Sequence, residues 1–139
     1  MQSNPARALL SRNRAVVIGH RGYAVRAPEN TLPGFKLAIE AGVDAIELDY
    51  RVDREGIPVV IHDATLDRTT NAISVFGTSK VRVDSKSMAE LQALDAGSWF
   101  GPEFAGTAIP SLEEAVEGIL GAGLVPLLER KAGSAEGIV

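Results

Sequence analysis

The chain has 139 residues, of which 45% are hydrophobic and 23% charged, and its net charge is −4. That is the composition of one globular domain, not a disordered segment, and the acidic balance gives no general attraction to nucleic acid. There is no cysteine, which excludes a disulfide framework and thiol catalysis. No stretch approaches the roughly 18 apolar residues that span a bilayer, and Met1–Arg14 lacks the apolar core of a signal peptide, so a cytoplasmic location is expected.

Residues 1–14 read as a polar, basic tail. Ala15–Gly19 is a short apolar run with the character of a buried strand, and His20 stands at its exit. After a loop from Gly22 to Glu29, Asn30 or Thr31 is placed to cap a helix that tolerates Pro33 in its first turn and stops at Gly42. Asp44–Val52 is the second strand and Asp53–Gly56 a turn. Ile57–Ile61, rich in β-branched residues, is the third strand, ending at His62. The link between these two strands is too short for a crossover helix, which leaves a hairpin or a tight step to another barrel position.

Leu66–Ser79 is polar and rich in Gly and Thr, an excursion over the sheet, with Val81–Val83 a candidate short strand. A short helix is expected from Asp84 or Ser85 through Met88, Leu91 and Leu94. A loop at 95–108 carries Trp99, Phe100 and Phe104, which either pin the loop to the core or line a pocket. Ser111 with Glu114 forms a capping-box pattern and predicts a helix to about Leu120. Leu124–Leu128 is the next strand, ending at Glu129, and Ser134 is placed to cap one more helix.

The charged residues collect where these strands end. His20-Arg21-Gly22, Glu47-Leu48-Asp49, His62-Asp63 and Glu129-Arg130-Lys131 each close an apolar run, and α/β folds keep their chemistry on the carboxyl edge of a parallel sheet. Glu47 and Asp49 lie two residues apart on a strand, so they project to one face. Two adjacent carboxylates resist ionisation unless a cation lies between them, and a hard ion such as Mg²⁺ or Ca²⁺ takes such oxygen ligands. Glu129 could complete one side of that ion. The plainer alternative is a pair of solvated acids on an edge strand.

His20 and His62 are the chain's only histidines and suit proton transfer near neutral pH. Arg21 and Lys131 are candidates to hold an anion. No Walker or dinucleotide glycine loop, no G-x-S-x-G and no zinc-protease spacing is present.

Taken in order, His20-Arg21-Gly22, Pro28-Glu29-Asn30-Thr31, Glu47-Leu48-Asp49, His62-Asp63 and Leu66-Asp67-Arg68-Thr69-Thr70 resemble the glycerophosphodiester phosphodiesterase family. The likeness runs from about Val16 to Lys131. It implies an α/β fold, a TIM-type (β/α) barrel with its site at the carboxyl ends of the strands. It further implies one divalent cation, Mg²⁺ or Ca²⁺, on Glu47, Asp49 and Glu129, with His20 and His62 as the acid/base pair. Arg21 and Lys131 would contact phosphate, and Glu29 and Asn30 would support the site.

The implied reaction is hydrolysis of a small anionic glycerophosphodiester to glycerol 3-phosphate and an alcohol. Release of a head group from lysophospholipid is the alternative on the same site. Residues 15–139 are then a partial catalytic barrel with a small insertion at about 64–108. Because such barrels need roughly 250 residues, only about the first half is expected here. That half would be a fragment without activity of its own, or a half-barrel completed by a second chain, a homo-oligomer joining sheet edges. Arg130 stands where the family usually has an aliphatic residue, and alternation turns it away from Glu129.

Overall fold

The computed structural model describes residues 4–133. The expected helix at Ser134 lies outside the described residues. Its organising element is strand β2 (Ala45–Val52), whose alternate residues face two different environments. Ile46, Leu48 and Tyr50 point outward into an apolar layer with Phe35 and Ala38 of helix α2 (Leu32–Glu40) and with Leu112, Ala115 and Ile119 of helix α5 (Leu112–Gly121). Ile46, Leu48 and Ile119 are all but fully buried, each worth about 1.5–3 kcal/mol of hydrophobic burial. The opposite face of β2 carries Glu47, Asp49 and Arg51, the face that looks into the interior when such a sheet closes on itself.

Strand β1 (Ile18–His20) pairs parallel with the first half of β2, in register Ile18–Ala45 to His20–Glu47. Strand β4 (Val125–Arg130) pairs parallel along the other edge, from Ala45–Val125 to Tyr50–Arg130. β1, β2 and β4 are therefore three successive parallel strands with α2 and α5 outside them, the opening of a (β/α) barrel. Among the described residues β1 and β4 each pair with β2 alone, so both outer edges of this sheet are open.

Strand β3 (Pro58–Val60) resolves the alternative left open at the 53–56 turn: it is the second arm of a hairpin, antiparallel to β2 from Val52–Pro58 to Tyr50–Val60. Asp53 makes this turn by accepting from the Glu55 and Ile57 amides at 2.8 and 2.7 Å. β3 uses the same edge of β2 as β1. The Arg21 amide donates to the Glu47 carbonyl at 2.9 Å, and the Ile61 amide to the Asp49 carbonyl at 3.1 Å. β1 and β3 thus run toward each other along one edge. This corrects the picture of four strand ends on one carboxyl edge: His62 reaches the site because its strand turns back.

Several boundaries differ from the sequence expectation. Residues 5–10 of the tail form helix α1 (Pro5–Leu10), capped by the Asn4 side chain. β1 begins at Ile18 rather than Ala15, because Arg12 and Arg14 pair with Asp44, whose carboxylate also accepts from the Val17 amide. Thr31, not Asn30, caps α2 through Gly34. Residues 72–76 of the excursion are helix α3 (Ala72–Phe76), and Val81–Val83 gives one bridge, Thr65–Arg82, followed by a 3₁₀ turn at Val83–Ser85. Helix α4 (Met88–Gln92) is capped by Ser87. Ser87 and Glu90 complete a reciprocal capping box that Asp84 and Ser85 lack.

The excursion has a core of its own: Leu66, Ala72, Val81, Val83, Leu91, Leu94, Ala96 and Ile109 pack against Val59 and Ile61 of the hairpin. Trp99, Phe100 and Phe104 stack edge to face with one another, centroids 5.7 and 5.6 Å apart, and the Trp99 indole donates to the Ala96 carbonyl. They pin the 95–108 loop to itself.

Candidate active site

The open face of the sheet gathers Glu47, Asp49 and Glu129. Asp49 and Glu129 are direct partners across β2 and β4, which puts them on one face, and Glu47 is two residues before Asp49 on that face. A carboxylate oxygen from each lies within 4.8 Å of the others. Asp49 is fully buried, Glu47 half-buried and Glu129 exposed. Glu47 Oε1 and Asp49 Oδ1 are buried without a hydrogen-bond partner, which is costly for ionised oxygens. Burial, and then the charge of Asp49, raise the Glu47 carboxyl above its ordinary value.

Orphaned oxygens aimed into a cluster of hard donors fit a divalent cation of the Mg²⁺ or Ca²⁺ kind. Positive charge is already drawn to the cluster: the Lys131 ammonium donates to Glu129 and lies 3.5 Å from Asp49 Oδ1. The Glu129 hydrogen bond raises Lys131, and the same bond lowers Glu129.

The loop after β1 supplies the remaining contacts. Asn30 is buried and spans the junction where β1 and β3 both end. Its Nδ2 donates to Asp49 Oδ2 at 2.9 Å, and its Oδ1 accepts the Asp49 amide at 3.2 Å. The side chain thus satisfies a β2 amide that neither neighbouring strand reaches. The Arg21 amide is shared between the Glu47 carbonyl and Glu47 Oε2. Its guanidinium donates to Glu29 at 3.1 Å, and Nε lies 3.2 Å from Asp49 Oδ2.

Arg21 and Asn30 both adopt left-handed backbone conformations, with φ of 57° and 56°, and the Asn30 amide donates to the Arg21 carbonyl. Such strain costs about 1–3 kcal/mol per residue and clusters at functional sites. Between them, Gly22 has φ 87°, and a Cβ there would lie 2.8 Å from the backbone of Gly34, so the loop can press onto α2 only with glycine at this position.

Of the two imidazoles, His20 borders this cluster and His62 lines a small cavity with Glu29 and Asn30. His20 is exposed, its Nε2 3.8 Å from Glu47 Oε2. His62 is half-buried, and its Nδ1 lies 2.8 Å from Asp63 Oδ1. Asp63 is held in turn by Arg68, which also bonds Glu29. Glu29, Asn30, Thr31, His62 and Thr69 all line one small cavity of about 10 Å³. All nine residues singled out from the sequence therefore lie in this region. Arg68 and the carboxylate of Asp63 were given no role from the sequence. Arg68 stands inside the Leu66–Thr70 motif, but only the folded loop shows which two acids it joins.

Comparison with known proteins identifies the family. The family model described as the glycerophosphoryl diester phosphodiesterase family matches residues 20–132. The chain belongs to this family. It is 45% identical over 104 residues to a glycerophosphodiester phosphodiesterase of Caldanaerobacter subterraneus subsp. tengcongensis, covering 75% of this chain and 40% of that protein.

Among solved structures it is similar to a glycerophosphodiester phosphodiesterase from Agrobacterium tumefaciens, with 38% identity, a TM-score of 0.76, and coverage of 84% of this chain and 47% of the other. It is also similar to an Oleispira antarctica phosphodiesterase in complex with the product sn-glycerol-3-phosphate, with 41% identity, a TM-score of 0.77, and coverage of 85% and 45%. The chain thus spans less than half the length of these relatives, and its sheet corresponds to the N-terminal part of the family's barrel. Among the described residues no helix is long and apolar enough to cross a membrane.

Proposed function

We propose that this chain carries the metal-binding and proton-transfer half of a glycerophosphodiester phosphodiesterase site, which hydrolyses a glycerophosphodiester to glycerol 3-phosphate and an alcohol. The observation that carries the reading is the cluster of Glu47, Asp49 and Glu129 on one sheet face, with oxygens within 4.8 Å of one another and His20 beside Glu47. The product named for the Oleispira antarctica relative supports glycerol 3-phosphate as the retained half of the substrate.

In this reading Glu47, Asp49 and Glu129 hold one Mg²⁺ or Ca²⁺. When bound, the ion neutralises charge on the phosphate oxygens, which otherwise repel a nucleophile. Lys131 and Arg21 add fixed positive charge for the same oxygens. Arg21 is only partly free for this, since one arm is bonded to Glu29 and Nε lies 3.2 Å from Asp49 Oδ2. His20, beside Glu47, and His62 exchange protons with the attacking and leaving oxygens. Glu29 supports Arg21, and Asn30 fixes Asp49.

Turnover of glycerophosphocholine, followed as glycerol 3-phosphate released, tests the proposal. Activity that disappears with EDTA and returns with Mg²⁺ or Ca²⁺ is expected. A folded chain that binds neither ion, or that turns over equally well with the metal stripped, would refute it.

A further inference from the structure

The side chain of Arg68 closes a chain of contacts that reaches from one imidazole to the carboxylate cluster. Its Nε and Nη2 grip Asp63 at 2.7 and 3.0 Å. Its Nη1 and Nη2 grip Glu29 at 3.0 and 2.7 Å. One guanidinium therefore holds two carboxylates, each by a fork, and uses four bonds in a geometry no lysine reproduces. Glu29 continues to Arg21, and Arg21 to Asp49.

On the other side, Asp63 Oδ1 faces His62 Nδ1 at 2.8 Å. The hydrogen bonds of Arg68, and then that of His62, hold the Asp63 carboxyl far below its ordinary range despite partial burial. An ionised carboxylate only accepts hydrogen bonds. The proton between the two must therefore sit on His62 Nδ1, which leaves Nε2 as the nitrogen free to exchange a proton.

We infer that Arg68 is a positioning residue that acts through Asp63: it locks His62 in the Nδ1–H tautomer and presents Nε2 to the reacting oxygen. This deepens the phosphodiesterase reading and rests on it for its catalytic consequence. The same guanidinium ties the first loop, through Glu29, to the start of the excursion. Arg68 touches none of Glu47, Asp49 or Glu129, and its side chain is 46% exposed, so its removal leaves the cores intact.

The test has a spectroscopic arm and a kinetic arm. In the ¹⁵N-histidine-labelled chain, long-range ¹H–¹⁵N correlation at ~pH 8.5, about two units above an ordinary imidazole pKa, is expected to show His62 protonated on Nδ1 alone. Arg68→Met should leave a mixture of tautomers. Asp63→Asn should invert the tautomer, because the amide can donate to Nδ1. With glycerophosphocholine and saturating Mg²⁺, Arg68→Met should lower kcat about 10–100-fold, within the range for general acid–base catalysis and for supporting groups, with KM and Mg²⁺ affinity within about threefold. Arg68→Lys should follow Arg68→Met.

An unchanged His62 tautomer in Arg68→Met would overturn the assignment, as would full activity in Arg68→Lys. If the wild-type chain shows the locked tautomer, lost in Arg68→Met, but no turnover, the phosphodiesterase reading alone fails and the role of Arg68 at His62 stands.

Discussion

The Asn30 side chain sits at the meeting point of β1 and β3, and its removal offers the most direct test of how the site is built. Asn30→Gly keeps the left-handed backbone and deletes both hydrogen bonds to Asp49. The bond to the Asp49 carboxylate is worth about 1.5–3 kcal/mol and the bond from its amide about 1 kcal/mol, each at a fully buried residue. The expected loss is therefore about 2.5–4 kcal/mol, a large part of the ~5–15 kcal/mol that holds a domain folded.

Asn30→Ala should cost about 0.5–1 kcal/mol more. A Cβ at φ 56° is disfavoured by about 1–2 kcal/mol, partly offset because alanine loses less backbone entropy than glycine on folding. Urea unfolding followed by circular dichroism and by the single tryptophan, Trp99, reads both values. At a slope of ~2 kcal/mol per M, Asn30→Gly should move the midpoint down by about 1.3–2 M with the slope unchanged. A loss below about 1 kcal/mol would show that the amide does not hold Asp49, and glycine costing more than alanine would refute the backbone argument.

Other perturbations address the chemistry. Glu47→Ala or Asp49→Ala should abolish binding of Mg²⁺ and Ca²⁺ in calorimetry, and full affinity in either variant would remove that residue from the ligand set. His20→Ala and His62→Ala should each lower kcat about 10²–10⁴-fold with metal affinity nearly unchanged; activity that survives both changes would end the acid/base assignment. Asp44 is depressed to about 2 by the Arg14 hydrogen bond and then the Val17 amide. A depressed carboxyl adds stability that is fully present above its unfolded value near ~3.9 and is lost as pH falls through about 2. Asp44→Asn should therefore flatten the fall of Tm between about pH 4 and pH 2, and an acid limb as steep as wild type's would place that stability elsewhere.

Much of this arrangement was legible in the residues because strand ends, caps and same-face spacing are local. The Glu47/Asp49 pair follows from two-residue periodicity, and the Ser111–Glu114 capping box from its own four residues. What escaped was set by contacts distant in sequence. The start of β1 at Ile18 depends on Arg12 and Arg14 reaching Asp44. The edge of β2 that β3 takes depends on β1 stopping at Glu47 and on β4 filling the other side. The excursion looked polar because its apolar residues are spaced for a small separate core around Val59 and Ile61, not for one long amphipathic element. Arg68 was visible as a letter in a motif, but joining Glu29 to Asp63 requires residues 39 and 5 positions away to converge.

The shared edge of β2 also acts as a ruler. β1 stops opposite Glu47 and β3 stops opposite Tyr50, three residue steps or about 10 Å at ~3.4 Å per residue. The room between the two imidazole-bearing segments is thus counted out along one uninterrupted stretch of backbone. Loops beyond residue 63 can lengthen without altering that count. One residue inserted between Glu47 and Tyr50 would widen it by a step and swing Asp49 to the opposite side of the sheet.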